Sequence, residues 1–119
     1  MISGSCLCGN VQISVKDAPT RLVSCNCTAC HRYGALWWHS TVEMIEISAE
    51  TPTIGYARGD HLLEFHHCPT CGCMTHWHSI DPENPDARAA NMRMCDPADT
   101  ADIPTRFFDG RDSWTFIEP

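Results

Sequence analysis

The sequence predicts an all-β protein, and two observations support that prediction. Many short stretches either alternate apolar and polar residues or are rich in β-branched and aromatic side chains, as strands are. Turns rich in Pro, Gly, Asp and Asn separate these stretches. The 119 residues contain no linker, repeat or low-complexity segment. We therefore expect a single domain over residues 1–119.

The first half of the chain contains four predicted strands. Val11 to Asp17 alternates apolar and polar residues, which is the pattern of a half-buried strand. Residues 20–25 form a second strand that runs into a group of cysteines, and residues 34–42 form a third that is bulky and aromatic. Residues 42–48 alternate again. A helix is the weaker interpretation there, because the β-branched residues recur at every second position.

The second half continues the series of short strands. Further strands are predicted at residues 53–57, 61–68, 74–80, 87–94 and 105–110. Residues 81–87 form a loop, judged by their prolines and their Asp and Asn content. Residues 96–104 form a turn with room for a single helical turn.

Charge and hydropathy restrict the partners and the compartment. Eight basic and fifteen acidic residues give a formal charge of −7, and such a surface repels phosphate backbones, so nucleic acid is not an expected partner. No apolar run reaches the length of a membrane span, and the N-terminus lacks the pattern of a secretory signal. We expect a cytoplasmic protein that acts on small molecules, the alternative being a precursor whose leader was removed. Nothing in the sequence indicates an oligomeric state.

Cysteine is the most informative residue type. Eight of the nine cysteines fall in three tight groups, and Cys95 stands alone. The groups are Cys6 and Cys8, then Cys25, Cys27 and Cys30, then Cys68, Cys71 and Cys73. In a reducing compartment such groups indicate metal sites rather than disulfides. Zn²⁺ suits them best, because it prefers soft thiolates in a tetrahedral arrangement.

The first and last groups are predicted to share one zinc ion. Gly9 and Gly72 each follow a candidate ligand, and glycine tolerates the positive φ of a sharp thiolate turn. One such turn with Cys6 and Cys8 and another with Cys68 and Cys71 would make a closed four-sulfur site. A closed site of this kind contributes folding free energy directly.

The middle group has three sulfurs and no obvious fourth ligand. Three protein ligands with one open position are typical of a catalytic zinc, which can bind water or a substrate thiolate there and polarise a carbonyl. The pattern suits a reaction between a small thiol and a small carbonyl compound. Cys73 is an open question: it could supply a fourth sulfur and close this site, act as an active-site thiol, or only pack.

Three motifs in this order resemble a known family. The segments "GSCLCGNVQISV" (4–15), "CNCTACHRYGA" (25–35) and "CPTCG" (68–72) resemble signatures of the glutathione-dependent formaldehyde-activating enzyme family, which also includes centromere-protein-V-like proteins. Two later segments, "NMRMCDPAD" and "RFFDGRDSW", are similar to later parts of the same family. The likeness spans nearly the whole chain.

The resemblance implies a β-tent of short antiparallel strands organised around two zinc ions. It assigns a structural zinc to Cys6, Cys8, Cys68 and Cys71. It assigns a catalytic zinc to Cys25, Cys27 and Cys30. The implied activity is the condensation of formaldehyde with glutathione to S-(hydroxymethyl)glutathione, which is classed as a carbon–sulfur lyase reaction. His31, His67 and Cys73 depart from the residues that are usual at their positions.

Other functions fit parts of the pattern. A zinc-stabilised β module that binds partners without catalysis is one alternative, and a zinc-handling or thiol-redox protein that uses Cys73 is another. Residues 27–31 match the CxxCH pattern of covalent haem attachment, but that reaction normally follows export, and it leaves the other cysteine groups unexplained. The cysteine spacing fits neither common ferredoxin pattern.

Several further side chains can be interpreted either as part of a functional site or as ordinary surface or core residues. His31 could shuttle a proton, although a solvated surface histidine is the more frequent case. His76 and His78 would share one face of a strand with Trp77 opposite. They could donate hydrogen bonds that orient metal ligands, or they could be solvated side chains. The general acid or base is not identifiable. One of Trp37 and Trp38 points inward as core and the other could wall a pocket. Three arginines could bind glutathione carboxylates, although we prefer to interpret each as a solvated side chain; they are Arg32, Arg58 and Arg93. We expect Cys95 to be a small buried apolar residue.

Overall fold

The structure, a computed structural model, describes residues 1–117. Within that part of the chain the strands are β1 (Ile2–Ser5), β2 (Val11–Val15), β3 (Leu22–Cys25), β4 (Trp37–Thr41), β5 (Ile45–Ala49), β6 (Ile54–Ala57), β7 (Leu63–His67), β8 (Met74–Ser79), β9 (Ala87–Asn91), β10 (Thr105–Phe108) and β11 (Phe116–Ile117). The helices are α1 (Thr28–Tyr33) and α2 (Pro97–Thr100), with a 3₁₀ turn at Met92–Met94. The all-β prediction is confirmed.

The strands form two sheets. A small antiparallel sheet has the order β1-β2-β5, and a larger one has the order β11-β10-β3-β4-β9-β8-β7-β6. The central ladder β4-β9-β8-β7 is antiparallel throughout. One pairing is parallel: β10 returns from the end of the chain to lie beside β3, with Phe108 opposite Cys25. This pairing brings the C-terminal segment to the middle cysteine group.

The core follows from the alternation in the strands. In β2, Val11, Ile13 and Val15 are buried while Gln12 is exposed. Each such aliphatic side chain contributes roughly 1.5–3 kcal/mol on full burial. A second apolar cluster lies under the larger sheet around Trp37, and it continues to the middle cysteine group.

The structure corrects the predicted elements in three places. The first predicted strand began at Val11, but an earlier strand, β1, lies before Cys6 and Cys8 and pairs with β2. The strand predicted at residues 87–94 ends at Asn91, whose side-chain oxygen accepts the N–H of Arg93 and starts the 3₁₀ turn. The third correction is α1, which forms inside the predicted metal motif. Sequence propensity favoured none of these features, and pairing or capping decides each of them.

The helices are too short to dominate the fold. Among the described residues, none is long and apolar enough to cross a membrane. The single turn expected within residues 96–104 is present as α2, where the Asp96 carboxylate accepts the N–H of Ala98. The domain predicted over residues 1–119 includes Glu118 and Pro119, which lie outside the described residues.

Candidate metal centres

The first cluster joins two turns that are far apart in the chain. Cys6 and Cys8 lie in the turn between β1 and β2, and Cys68 and Cys71 lie in the turn between β7 and β8. The sulfur of Cys8 lies 3.7 Å from that of Cys6 and 3.6 Å from that of Cys68. Four sulfurs at tetrahedral positions around zinc lie about 3.8 Å apart, given Zn–S bonds of about 2.3 Å. The four side chains therefore fit one tetrahedral ion.

Backbone N–H groups point at these sulfurs. The N–H of Val11 donates to the Cys6 sulfur at 3.2 Å, and that of Thr70 donates to the Cys68 sulfur at 3.4 Å. Backbone N–H groups of Cys73 and Cys8 lower the pKa of the Cys71 thiol to about 5. Such donors stabilise thiolates, which are the form that binds a metal.

The two turns depend on glycine. Gly9 has a φ of 85° and Gly72 a φ of 82°, a conformation that side chains with a Cβ rarely adopt. The N–H of Gly72 donates to the carbonyl of Cys68 at 2.9 Å, and that of Gly9 donates to Cys6 at 3.1 Å. These bonds close each turn and direct its two sulfurs to one point.

Cys73 lies beside the first cluster. Its backbone carbonyl accepts the N–H of Cys68 at 3.0 Å, and its side chain packs against buried Cys6, Val11 and Cys68. Cys73 does not lie among the sulfurs of the middle group, so it does not supply a fourth sulfur there. None of the nine cysteines, all of them described, forms a disulfide.

The second cluster, here called the triad, comes from one short segment. Cys25 ends β3, Cys27 is the N-cap of α1, and Cys30 lies in the first turn of that helix. The sulfurs lie within 4.8 Å of one another. The N–H of Cys30 donates to the Cys27 sulfur at 3.3 Å, so the sulfur takes the place of the usual capping oxygen. Gly34 ends the helix in the left-handed conformation.

The three thiols of the triad differ in acidity. Burial raises the pKa of Cys25 and that of Cys30. Burial also acts to raise the pKa of Cys27, but the N–H of Cys30 and neighbouring donors outweigh it, and the Cys27 pKa is lowered. Cys27 is therefore the thiol that ionises first, and a cation would favour ionisation of the other two.

Gly110 closes one side of the triad. A Cβ on Gly110 would lie 2.7 Å from the Cys25 sulfur and 3.2 Å from the Cys27 Cβ. The loop that carries it is held by Asn26, whose side-chain N–H donates to Asp109 at 3.0 Å and whose side-chain oxygen accepts the N–H of Arg111 at 3.1 Å. Sequence reasoning missed this glycine, because "RFFDG" indicated only the end of a strand.

The other side of the triad faces a cavity of about 410 Å³. All three cysteines line it, and the remaining wall is mainly aromatic. The aromatic residues are Trp37, Phe65, Trp77, Phe108, Trp114 and Phe116. Trp37 is thus both the inward ring and a cavity wall, whereas Trp38 packs against the cluster of Ile13 and Ile45. The expectation that the outward ring of the pair walls the pocket is wrong, because the cavity lies on the inner face of β4.

Two polar side chains interrupt this apolar wall. Arg21 and His39 both line the cavity, and the His39 ring lies 5.7 Å from the Trp77 ring between centroids. His39 is exposed to solvent, but the protein atoms around its ring and the charge of Arg21 lower its pKa, which favours the neutral imidazole near pH 7. Sequence reasoning did not select His39, since a histidine in an aromatic strand carries no signal of its own.

A smaller and more polar cavity of about 220 Å³ lies on the side of Cys25 and Cys30. Its wall includes Asn26, exposed His31 and Arg93. Arg93 donates from Nε to the carbonyl of Gly34 at 2.6 Å. Of the three candidate arginines, Arg93 alone lines either of the two cavities beside the triad.

The other singled-out residues lie elsewhere. Arg32 donates to the carbonyl of Thr28 at 3.1 Å and, with Arg58, lines a separate surface cavity. Cys95 is buried at 6% exposure in an apolar cluster, as expected. His76 and His78 share one face of β8 with Trp77 opposite, which is also as expected.

Two comparisons, with family models and with solved structures, found proteins similar to this chain. A family model described as "Glutathione-dependent formaldehyde-activating enzyme" matches residues 1–108. A crystal structure of a Rhodobacter sphaeroides protein, a structural genomics target, is similar with a TM-score of 0.68 and 24% sequence identity. That match covers 87% of this chain and 99% of the other. At this identity the likeness supports the fold alone. No curated protein matches the chain in sequence.

Proposed function

The chain belongs to the glutathione-dependent formaldehyde-activating enzyme family, and from that premise we propose that it is a zinc enzyme joining a small aldehyde to a thiol. The aldehyde is formaldehyde or a close relative, and the thiol is glutathione or a similar compound. The product is an S-hydroxymethyl adduct, and the reaction belongs to the carbon–sulfur lyase class. The supporting observation is that the triad borders a cavity, whereas the first cluster provides four sulfurs of its own.

The two clusters have different proposed roles. The first holds a structural zinc through Cys6, Cys8, Cys68 and Cys71. The triad holds the catalytic zinc through Cys25, Cys27 and Cys30. Zinc in the triad would supply a Lewis acid that lowers the pKa of a thiol and polarises a carbonyl. The helix N-cap at Cys27 and the close approach of Gly110 fix the three ligand side chains on one side, which leaves substrates the cavity side.

The proposed reaction balances without a redox partner. The substrate sulfur attacks the carbonyl carbon, an S–C bond forms, and the C=O double bond becomes a C–O single bond. The thiol proton ends on the new hydroxyl oxygen. His39 is the proposed proton carrier, because its imidazole is neutral, lines the same cavity and can accept the thiol proton.

The cavity walls suit these substrates in different ways. The aromatic wall of the larger cavity reduces the contact of the reacting atoms with water, which would otherwise hydrate the aldehyde and weaken each polar contact. Arg21 at the larger cavity and Arg93 at the smaller one are placed to bind carboxylates of a thiol such as glutathione. All nine cysteines are free thiols, as is usual in a reducing compartment, so we propose a cytoplasmic enzyme.

The direct test is the rate of adduct formation from ¹³C-formaldehyde and glutathione, measured by NMR above the spontaneous reaction. We expect the wild-type chain to accelerate it and Cys27→Ser to lose about 100-fold or more, as expected when a metal-holding group is removed from such a site. Cys73→Ser is the matched control and should retain the activity. A Cys27→Ser variant as active as the wild type would contradict the proposal. An inactive, zinc-loaded wild type would favour the non-catalytic interaction module.

A further inference from the structure

A third group of potential metal ligands lies on the β7–β8 hairpin, apart from both cysteine clusters. Glu64 lies opposite His78, and His66 lies opposite His76, in the ladder of the two strands. Residues at every second position share a face, so these four side chains form a compact square. Phe65 faces the opposite side, toward the cavity of the triad. From this arrangement we propose that Glu64, His66, His76 and His78 bind a divalent transition-metal ion, which we call the histidine site.

The distances bring the potential ligand atoms together. One ring nitrogen from each histidine lies within 4.8 Å of the others. The His66 ring lies 4.8 Å from the His76 ring and 4.5 Å from the His78 ring between centroids. The Glu64 carboxylate oxygen lies 2.7 Å from His66 Nε2 and 3.8 Å from His78 Nε2. A tetrahedral ion with Zn–N bonds of about 2.1 Å needs its ligands about 3.4 Å apart, so small side-chain rotations complete the site.

In two of the histidines the Nδ1 atom is occupied by a hydrogen bond, so Nε2 is the atom available to an ion. His66 Nδ1 pairs with the Thr53 hydroxyl at 2.8 Å, and His76 Nδ1 pairs with the Thr75 hydroxyl at 2.9 Å. Thr75 also donates to the carbonyl of His66 at 3.4 Å. The hydroxyl therefore accepts from Nδ1 of His76, which keeps the Nε2 lone pair free. Metal-binding histidines are commonly oriented by such a bond to the second nitrogen.

One buried nitrogen has no hydrogen bond. His66 is only 9% exposed, and among the described residues its Nε2 has no hydrogen-bond partner. A carboxylate oxygen of Glu64 lies 2.7 Å from it, so the nitrogen and the oxygen are two potential ligands in direct contact. A buried nitrogen without a hydrogen bond is unfavourable. An ion held between this nitrogen and the carboxylate would satisfy both.

The local charges permit a cation of moderate affinity. Burial lowers the pKa of His76 to about 3 and also lowers that of His78, so both rings are neutral and ready to coordinate. Glu64 adds a negative charge. Arg88 lies opposite His78 on β9 and opposes a cation, although its Nη1 donates to the carbonyl of Ile45 at 2.9 Å. We expect weaker binding than at the four thiolates.

The ligand set restricts the kind of ion. Three imidazoles and one carboxylate favour Zn²⁺, Co²⁺, Ni²⁺ or Cu²⁺ over Mg²⁺ and Ca²⁺. The side chains of Glu64 and His78 are 31% and 29% exposed, so an ion can reach the group from solvent. Gly55 on β6 leaves the space that the Glu64 side chain occupies, since a Cβ there would meet its carboxylate.

Calorimetric titration of the full chain with Zn²⁺ tests the proposal. We expect His78→Gln and Glu64→Gln each to bind one ion fewer per chain than the wild type. Where a variant still binds that ion, its affinity should be at least about tenfold lower. Both positions are partly exposed, so we expect these variants to fold. His61→Asn, at an exposed position outside the strands, is the control and should match the wild type.

Imidazole ¹⁵N NMR provides an independent measurement. The additional zinc should shift the Nε2 resonances of His66 and His76 and leave that of His61 unchanged. Equal stoichiometry and affinity in the wild type, His78→Gln and Glu64→Gln would overturn the histidine site. So would zinc saturation without a shift at either Nε2 atom.

Discussion

The two cysteine clusters use one chemistry in opposite ways. The first takes sulfurs from two turns sixty residues apart, and its Cys6 and Cys68 are almost fully buried. The triad takes its sulfurs from a segment of six residues and borders a cavity of about 410 Å³. The comparison teaches that chain connectivity distinguishes the proposed structural site from the proposed site of ligand exchange. An ion in the first cluster would link parts of the chain that are distant in sequence. An ion in the triad would link only residues within one segment of six.

The largest expected effect is the loss of the first cluster. Cys68→Ser should unfold the chain at 25 °C, because it removes a fully buried ligand, and structural zinc sites in small peptides bind with roughly 10 kcal/mol or more. Circular dichroism and tryptophan fluorescence measure the outcome. Cys95→Ser, which buries a hydroxyl without touching either cluster, should cost only about 1–3 kcal/mol. Equal effects of the two substitutions would remove the structural role of the first cluster.

Substitution within the triad should separate stability from metal content. We expect Cys27→Ser to bind one zinc ion fewer than the wild type, because it removes one of the three sulfurs of the triad. Since serine is itself a good N-cap, its thermal midpoint should stay within a few degrees of the wild type. Elemental analysis together with thermal unfolding checks both statements. An unfolded Cys27→Ser protein would mean that the triad is structural as well.

An intermediate effect is expected at Gly110. A methyl group there would lie 2.7 Å from the Cys25 sulfur, so Gly110→Ala should displace that sulfur and lower kcat/KM by about tenfold, the size of a 1.4 kcal/mol change in the barrier. Asp112→Ala, in the same loop and exposed, should leave kcat/KM unchanged. Full activity in Gly110→Ala would show that the loop does not constrain the triad.

The smallest expected effect is a pH dependence from His39. The surrounding protein atoms and the charge of Arg21 lower its pKa below 6.5, so the unfolded chain binds more protons than the folded one between the two pKa values. The stability from this group is therefore complete above about pH 6.5 and is lost as the pH falls toward the lowered value. The rate should fall as the pH drops through the lowered pKa of the folded enzyme, where protonation removes the proposed proton acceptor. His39→Gln should abolish this limb of the pH–rate profile, and an unchanged profile would remove His39 from the mechanism.

Part of this architecture was predictable because local patterns determine it. The alternation from Val11 to Val15 places each apolar side chain on the buried face, and the paired cysteines with Gly9 and Gly72 indicate sharp turns. The prediction of strands failed where pairing with another segment of the chain determines the local structure. β1 has the sequence Ile-Ser-Gly-Ser, which has little strand propensity and is extended because it pairs with β2.

The triad illustrates the same limit. Its cysteines were recognisable from their spacing, but the parallel pairing of β10 with β3 that brings Gly110 over them is a contact between residues more than eighty positions apart. The cavity wall is likewise assembled from separate strands, so no sequence window contains it. The helix at Thr28–Tyr33 did have local signals, a capping side chain at Cys27 and a glycine at residue 34.

The difference between the clusters is tested most directly by cobalt substitution. Co²⁺ replaces Zn²⁺ in thiolate sites, and the thiolate-to-cobalt charge-transfer band reports sulfur ligands alone, so a histidine site does not contribute to it. We predict that adding glutathione to the cobalt-loaded chain strengthens this band by one additional sulfur, and that Cys27→Ser abolishes the change. A band that glutathione leaves unaltered in the wild type would contradict an exchangeable position at the triad.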